Sequence, residues 1–145
     1  MILFSTKNPD FRVDIKRAVL EGLPPDNGLY MPTNIPVLPD DFWENAESAS
    51  FKELAFGVAH ALLGDAIPEK ALLDIIDKAV NFDAPLAKVE DDIFSLELWH
   101  GPTLAFKDFG ARFMAQLMGY FVQDEEGNCI GQFQIGDKNC VVVIK

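Results

Sequence analysis

Lys107 follows the corner Gly101-Pro102-Thr103, stands between Phe106 and Asp108-Phe109, and falls where a helix begins. Unpaired N–H groups give a helix start partial positive charge. An ammonium there is disfavoured by a few tenths to about 1 kcal/mol, so the neutral amine is favoured. Phe106 and Phe109, as apolar neighbours, would desolvate the group and act in the same direction. A neutral lysine amine is a nucleophile able to form a Schiff base with a carbonyl compound. The competing reading is structural: the methylenes run along the core and the charge stays in water. Asp108 then either satisfies the cation or pairs with Arg112 one helical turn on.

The neighbouring candidates carry the same two-sided reading. His100 is either an acid or base, or a loop residue bonded to its own backbone. His60, on an apolar helix, reads as a core or boundary side chain. Thr103 reads as the N-cap of the lysine helix. Gly110 and Ala111 are small enough for close approach by another segment or a ligand, and plain helix packing explains them equally. The sequence shows no glycine-rich phosphate loop, no metal-ligand cluster and no Ser-His-Asp arrangement. Cys129 and Cys140 match no zinc or redox spacing and read as buried or incidental thiols.

The elements that must position Lys107 are legible from periodicity. A helix from near Thr103 carries Phe106, Phe109, Phe113, Met114, Leu117 and Phe121 at three- and four-residue spacing. Before it, Leu86–Val89 and Ile93–Leu98 read as strands around the acidic turn Glu90-Asp91-Asp92. Ser50 with Glu53 forms a capping box ahead of an apolar helix that stops at Gly64, and Pro68-Glu69 opens a second helix with Leu72, Leu73, Ile75, Ile76, Ala79 and Val80 on one face. These two helices should pack together. Ile2–Thr6 reads as a strand. Ile15, Ala18, Val19 and Leu23 read as a helix ended by Pro24-Pro25 and the turn Asp26-Asn27-Gly28, and Leu29–Met31 as an extended run into Pro32. Thr33–Pro39 is extended connection, and a short helix spans Asp40–Ala46. After Asp124, Gly127-Asn128 and Gly136-Asp137-Lys138-Asn139 read as turns of a hairpin. The pattern is α/β, with a domain boundary at the acidic turn, residues 1–92 before it and 93–145 after.

The composition narrows the function. A chain of 145 residues, 49% hydrophobic and 24% charged, is ordinary for a globular protein. Its formal charge of −11, from 23 acidic and 12 basic residues without a basic cluster, repels a polyanion, so no nucleic-acid partner is expected. Charges break every apolar stretch short of membrane-spanning length, and residues 1–5 lack a signal-peptide pattern. No membrane association and a cytoplasmic location are expected.

The stretch Leu96-Glu97-Leu98-Trp99-His100-Gly101-Pro102-Thr103-Leu104-Ala105-Phe106-Lys107-Asp108-Phe109-Gly110-Ala111-Arg112-Phe113-Met114-Ala115-Gln116 resembles the cofactor-lysine segment of threonine synthases, pyridoxal-phosphate enzymes of the tryptophan-synthase-β-like fold. Phe4-Ser5-Thr6-Lys7 and the run Ala18 to Pro32 resemble the opening of that family, and Gly64-Asp65-Ala66-Ile67-Pro68 an element between. The resemblance runs from Met1 to about Gln123. It implies a small N-terminal α/β domain, then the start of a fold-type-II cofactor domain. It also implies pyridoxal 5'-phosphate held as a Schiff base on Lys107, and conversion of O-phospho-L-homoserine and water to L-threonine and phosphate. Phe106 and Asp108 would hold the lysine and contact the cofactor. His100 and Thr103 would face cofactor or substrate, with Thr6 and Lys7 at the site mouth and Lys7 drawing substrate phosphate. Asn8 stands where the family usually has glycine, an exchange suited to a positive φ.

The chain departs from the family after residue 123. The Ser-Gly-Asp-Thr-Gly loop that holds the cofactor phosphate is not in this sequence, although Cys140–Ile144 reads as the strand that should precede it. The expectation is a truncated or fragmentary threonine synthase without independent activity. Two alternatives stand beside it. One is a non-catalytic interaction module that keeps the ancestral fold and binds a partner, such as the missing remainder of its own enzyme, with apolar surface left by the absent domain favouring association, self-association included. The other is a related lyase that acts on phosphohomoserine without making threonine.

Overall fold

The computed structural model describes residues 1–123, 133–135 and 138–140. The first strand, β1 (Ile2–Ser5), is central in a three-stranded antiparallel sheet, with β2 (Arg12–Asp14) on one side. Asp14 ends β2 and caps α1 (Ile15–Glu21) by accepting the Arg17 amide at 2.8 Å. Gly22, at φ +74, then ends the helix. This left-handed geometry is one that glycine adopts without steric cost. Next, β3 (Tyr30–Pro32) pairs with the other edge of β1 in the register Ser5↔Tyr30 to Leu3↔Pro32. The proline sits at the end of an edge strand, where its missing N–H breaks no ladder.

The short α2 (Asp40–Asn45) leads to α3 (Phe51–Leu63), which opens with the full capping box of Ser50 and Glu53. Helix α4 (Glu69–Ala79) packs against it. Leu72, Ile75, Ile76 and Ala79 of α4 are buried, with Ala59 and Leu63 of α3 and Val19 of α1. Ile67, in the α3–α4 connection, is nearly inaccessible. His60, expected at the core or its boundary, is exposed and rests its ring against Phe56. Val58 and Leu73 are also on the solvent side, so each helix buries a narrower stripe than its apolar residues suggest.

The chain then forms an antiparallel hairpin, β4 (Leu86–Glu90) with β5 (Ile93–Leu96), whose turn is the expected boundary at 92/93. After an irregular segment, α5 (Lys107–Phe121) returns to the helical core and packs on α4 and α1, burying Leu117 and Phe121. Last, β6 (Phe133–Ile135) pairs antiparallel with β7 (Lys138–Cys140). The expected hairpin is therefore present, but Lys138 and Asn139 belong to strand β7 and not to its turn. The Gly127-Asn128 turn and the strand residues 141–144 lie outside the described residues, as do the surroundings of both cysteines. Among the described residues, no helix is long and apolar enough to cross a membrane.

Candidate functional site

Helix α5 starts at Lys107, four residues later than the periodicity suggests. Thr103 is not its N-cap: Phe106 occupies that position and makes no side-chain cap bond. The delay comes from the preceding turn. Leu104 donates its amide to Gly101 O at 3.1 Å, and its φ of +56 takes the backbone off any helical path. The Asp108 amide closes a second turn on Ala105 O at 3.0 Å.

Asp108 holds this loop together from inside the helix. One carboxylate oxygen accepts the Thr103 amide at 2.8 Å, and the other accepts the Thr103 hydroxyl at 2.7 Å. The carboxylate is buried, and the hydrogen bonds from Thr103, hydroxyl first, hold it below the usual aspartate range against the opposing effect of burial. Its negative charge in the first turn also suits the helix dipole. Gly101 is required beside it, because a Cβ there would collide with Oδ2 of Asp108 and lie 2.7 Å from its Cβ.

Lys107 is exposed, and its flanking aromatics do not shield it jointly. Phe106 is 65% exposed. Phe109 turns to the opposite side, its ring centre 4.7 Å from that of Phe82 and 5.7 Å from that of Phe51. Residues two apart in a helix cannot share a face, which is why Lys107 and Phe109 part. Nor does Asp108 pair with Arg112: the guanidinium reaches the C-terminal carbonyls of α4 instead, with Nη2 2.7 Å from Lys78 O. His100 pairs with Glu97 at 2.7 Å and stacks on Trp99. Gly110 and Ala111 face open space and not a packed segment.

A second polar cluster lies at the sheet. Ser5, fully buried, donates its hydroxyl to the Asp26 carboxylate, 2.7 Å from one oxygen and 2.8 Å from the other, and accepts the Lys7 amide at 3.2 Å. Asp26 also accepts the Gly28 amide at 2.8 Å, and the Ser5 hydroxyl with this amide holds its carboxyl below the usual range. Asn27, at φ +58, forms the tip of this turn. Thr6 accepts the Leu29 amide at 2.9 Å through Oγ1, and the Lys7 side chain is exposed.

The residues here fit one half of what a pyridoxal-type cofactor needs. An accessible primary amine stands on the first residue of a helix, with exposed Phe106 and Leu104 as apolar surface beside it. The other half, a cradle of free amides for a phosphate, is not supplied by the loop, since Thr103 and Leu104 already spend theirs within it.

The family model described as the threonine synthase N terminus matches residues 3–80. Curated threonine synthases include those of Haemophilus influenzae, 43% identical over 118 residues, and of Escherichia coli, 38% identical over 125 residues. These matches cover 81% and 86% of this chain. The chain belongs to the threonine synthase family. It is similar in structure to threonine synthase from Escherichia coli, with a TM-score of 0.79 and 38% identity over 83% of this chain. It is also similar to the pyridoxal-phosphate-bound threonine synthase from Brucella melitensis, with a TM-score of 0.78 and 31% identity over 84% of this chain. The chain spans between a quarter and a third of the length of these threonine synthases, with 28% of the Escherichia coli structure matched. The mixed α/β architecture expected from the sequence is the one shared with the N-terminal part of those enzymes.

Of the residues expected at a threonine synthase site, the fold brings Thr103, Phe106, Lys107 and Asp108 into one turn, with His100 on the same segment. Among the described residues, no hydrogen bond joins Thr6 or Lys7 to that turn; they belong to the Ser5–Asp26 cluster. Asn8 lacks the positive φ that a glycine replacement suggested, and instead accepts the Asp10 amide at 3.2 Å. Sequence reasoning missed the Ser5–Asp26 bond and the Gly101–Asp108 contact. The signal for the first was Asp26-Asn27-Gly28, which reads as a plain turn until its carboxylate is seen to reach a buried serine.

Proposed function

We propose that this chain carries the cofactor lysine of a pyridoxal-phosphate-dependent lyase that converts O-phospho-L-homoserine and water to L-threonine and phosphate. The observation that carries this reading is Lys107 itself, exposed on the first residue of α5 and preceded by a loop that Asp108 ties to Thr103. Membership of the threonine synthase family and similarity to a structure titled as pyridoxal-phosphate-bound support it. When bound, the cofactor supplies an electron sink, and the protein's part is position and electrostatics.

In this reading Lys107 holds the cofactor through Nζ and, once released, moves protons on the substrate carbons within its reach. Asp108 fixes the loop from Thr103 to Lys107, while Phe106 and Leu104 present apolar surface to the ring. His100, held by Glu97, and Lys7 supply polar and cationic contacts toward the substrate. The 145-residue chain alone gives an amine without a phosphate cradle among its described residues, so reversible cofactor binding without turnover is expected.

The test is borohydride reduction of the chain with pyridoxal phosphate, followed by peptide mapping, with Lys107→Ala as control. A dominant adduct at Lys107 supports the reading, and labelling spread evenly over all lysines overturns it. A second reading, a non-catalytic association module, draws on the exposed apolar residues Leu86, Val89, Ile93, Phe94 and Leu96. Sedimentation showing a defined oligomer, together with even labelling, would favour it.

A further inference from the structure

Arg112 lies five positions beyond Lys107, outside the turn described above. Its Nε donates to Ala79 O at 3.1 Å, and its Nη2 donates to Lys78 O at 2.7 Å and to Asn81 Oδ1 at 3.1 Å. The two carbonyls belong to the last turn of α4, where backbone acceptors have no helical partner and a cation is favoured. The guanidinium also lies over Phe82, 5.8 Å from the ring centre, and Phe82 packs on Phe109. Among the described residues, no other side-chain hydrogen bond joins α5 to α4 or to the segment that follows it. The rest of that contact is apolar, through Leu117, Phe121, Leu72 and Ile75.

The distinction matters for where the lysine points. Apolar burial is non-directional and tolerates a small roll or slide of one helix on another. A planar fork on two carbonyls and an amide does not, because its bonds weaken steeply with angle. We propose that Arg112 is a positioning residue for Lys107: it latches the lysine-bearing end of α5 to the C-terminal end of α4 and so fixes the direction from which the amine meets its carbonyl partner. Asp108 holds the loop on one side of Lys107, and Arg112 holds the helix on the other. The proposal rests on the reading of Lys107 as the cofactor lysine.

The experiment is reductive trapping of pyridoxal phosphate on the full 145-residue chain, recording the rate at Lys107 and its share of label against Lys52 and Lys88. Arg112→Met is expected to lower the Lys107 rate about tenfold or more, in keeping with the cost of small misplacements of a reacting group, with Lys52 and Lys88 unchanged. Arg112→Lys keeps a cation at the end of α4, so it should recover most of the thermal stability without recovering the rate. Ser5→Ala removes the buried hydroxyl that holds Asp26 in the sheet cluster, and should lower stability while leaving the Lys107 share as in the parent. Parent-like trapping in Arg112→Met, or equal loss in Ser5→Ala, overturns the proposal. Even labelling in the parent chain overturns the underlying reading instead. Where Arg112→Met loses its circular dichroism signature, Asn81→Ala takes its place; it removes one acceptor, and an unchanged rate there overturns the proposal too.

Discussion

Leu72 in α4 and Leu96 in β5 are the same side chain in one small protein, yet the first is wholly removed from solvent and the second is 55% exposed. The difference runs through whole regions. Helices α1, α3, α4 and α5 close a core around Leu72 and Ile67, whereas the β4–β5 hairpin leaves Leu86, Val89, Ile93, Phe94 and Leu96 each more than half exposed. Ile93 and Phe94 are successive residues of one strand, so both faces of the ribbon are apolar and open. The helices therefore carry the stability of this chain, and the hairpin adds little to it. Lys107 stands at the seam, its helix rooted in the first region and its loop continuous with the second.

Substitutions can break that contrast. Leu72→Ala should cost about 3–5 kcal/mol in urea unfolding, the range for a buried leucine in a site that cannot collapse. Leu96→Ala should fall within about 0.5 kcal/mol, as for exposed positions. Equal costs would mean that the hairpin packs as tightly as the helices.

Gly101→Ala probes the seam. The added carbon would displace Asp108, at a cost of about 1–3 kcal/mol for overpacking, and free the Thr103 amide. Hydrogen exchange should quicken at Thr103, Leu104 and Asp108, whose amides close the loop, well before it does in α4. Uniform quickening would show that loop and helices open as one unit.

The smallest effect is acid dependence. Asp26 and Asp108 both have carboxyls held below the ordinary value of 3.8 by hydrogen bonds. Such groups contribute stability that is complete above that value and is lost as pH falls through their lower folded values. Asp26→Asn should flatten the acid limb of unfolding measured at the sheet, and Asp108→Asn the limb measured at the loop. Tyr30 has the opposite sign. Desolvation, with the Glu21 carboxylate, pushes its phenol up to about 12, so its contribution is complete below pH 10 and fades as pH rises toward that value. Unaltered acid limbs in both variants would show that neither carboxylate is linked to folding.

The sequence was most informative where a local pattern and its tertiary use coincide. Ser50 and Glu53 form a capping box whatever lies around them, and the buried stripe of α4 follows from its 3.6-residue period. It was least informative where a side chain chooses among distant partners. Thr103 reads as an N-cap by type and place, but Asp108, five residues on, takes both its amide and its hydroxyl and moves the helix start. Arg112 reads as a partner for Asp108 one turn away, but the free carbonyls of α4, more than thirty residues earlier, hold it instead. Lys107 stood out because a cation is a poor choice for a helix start. Its separation from Phe109 follows from their two-residue spacing in α5, whichever residue begins the helix.

The hairpin's register slips between Lys88 and Glu90, next to the acidic turn Glu90-Asp91-Asp92. A flat two-stranded ribbon with unpaired edges is a template on which further strands stack, the first step toward aggregation. The slip twists one edge out of line, and at the tip Glu90 and Asp92 add negative charge, beside the Lys88–Asp91 ion pair, that repels the tip of an approaching copy. Colloidal behaviour is thereby guarded at the edge and the tip, where strands would add, and not on the apolar faces, which stay exposed.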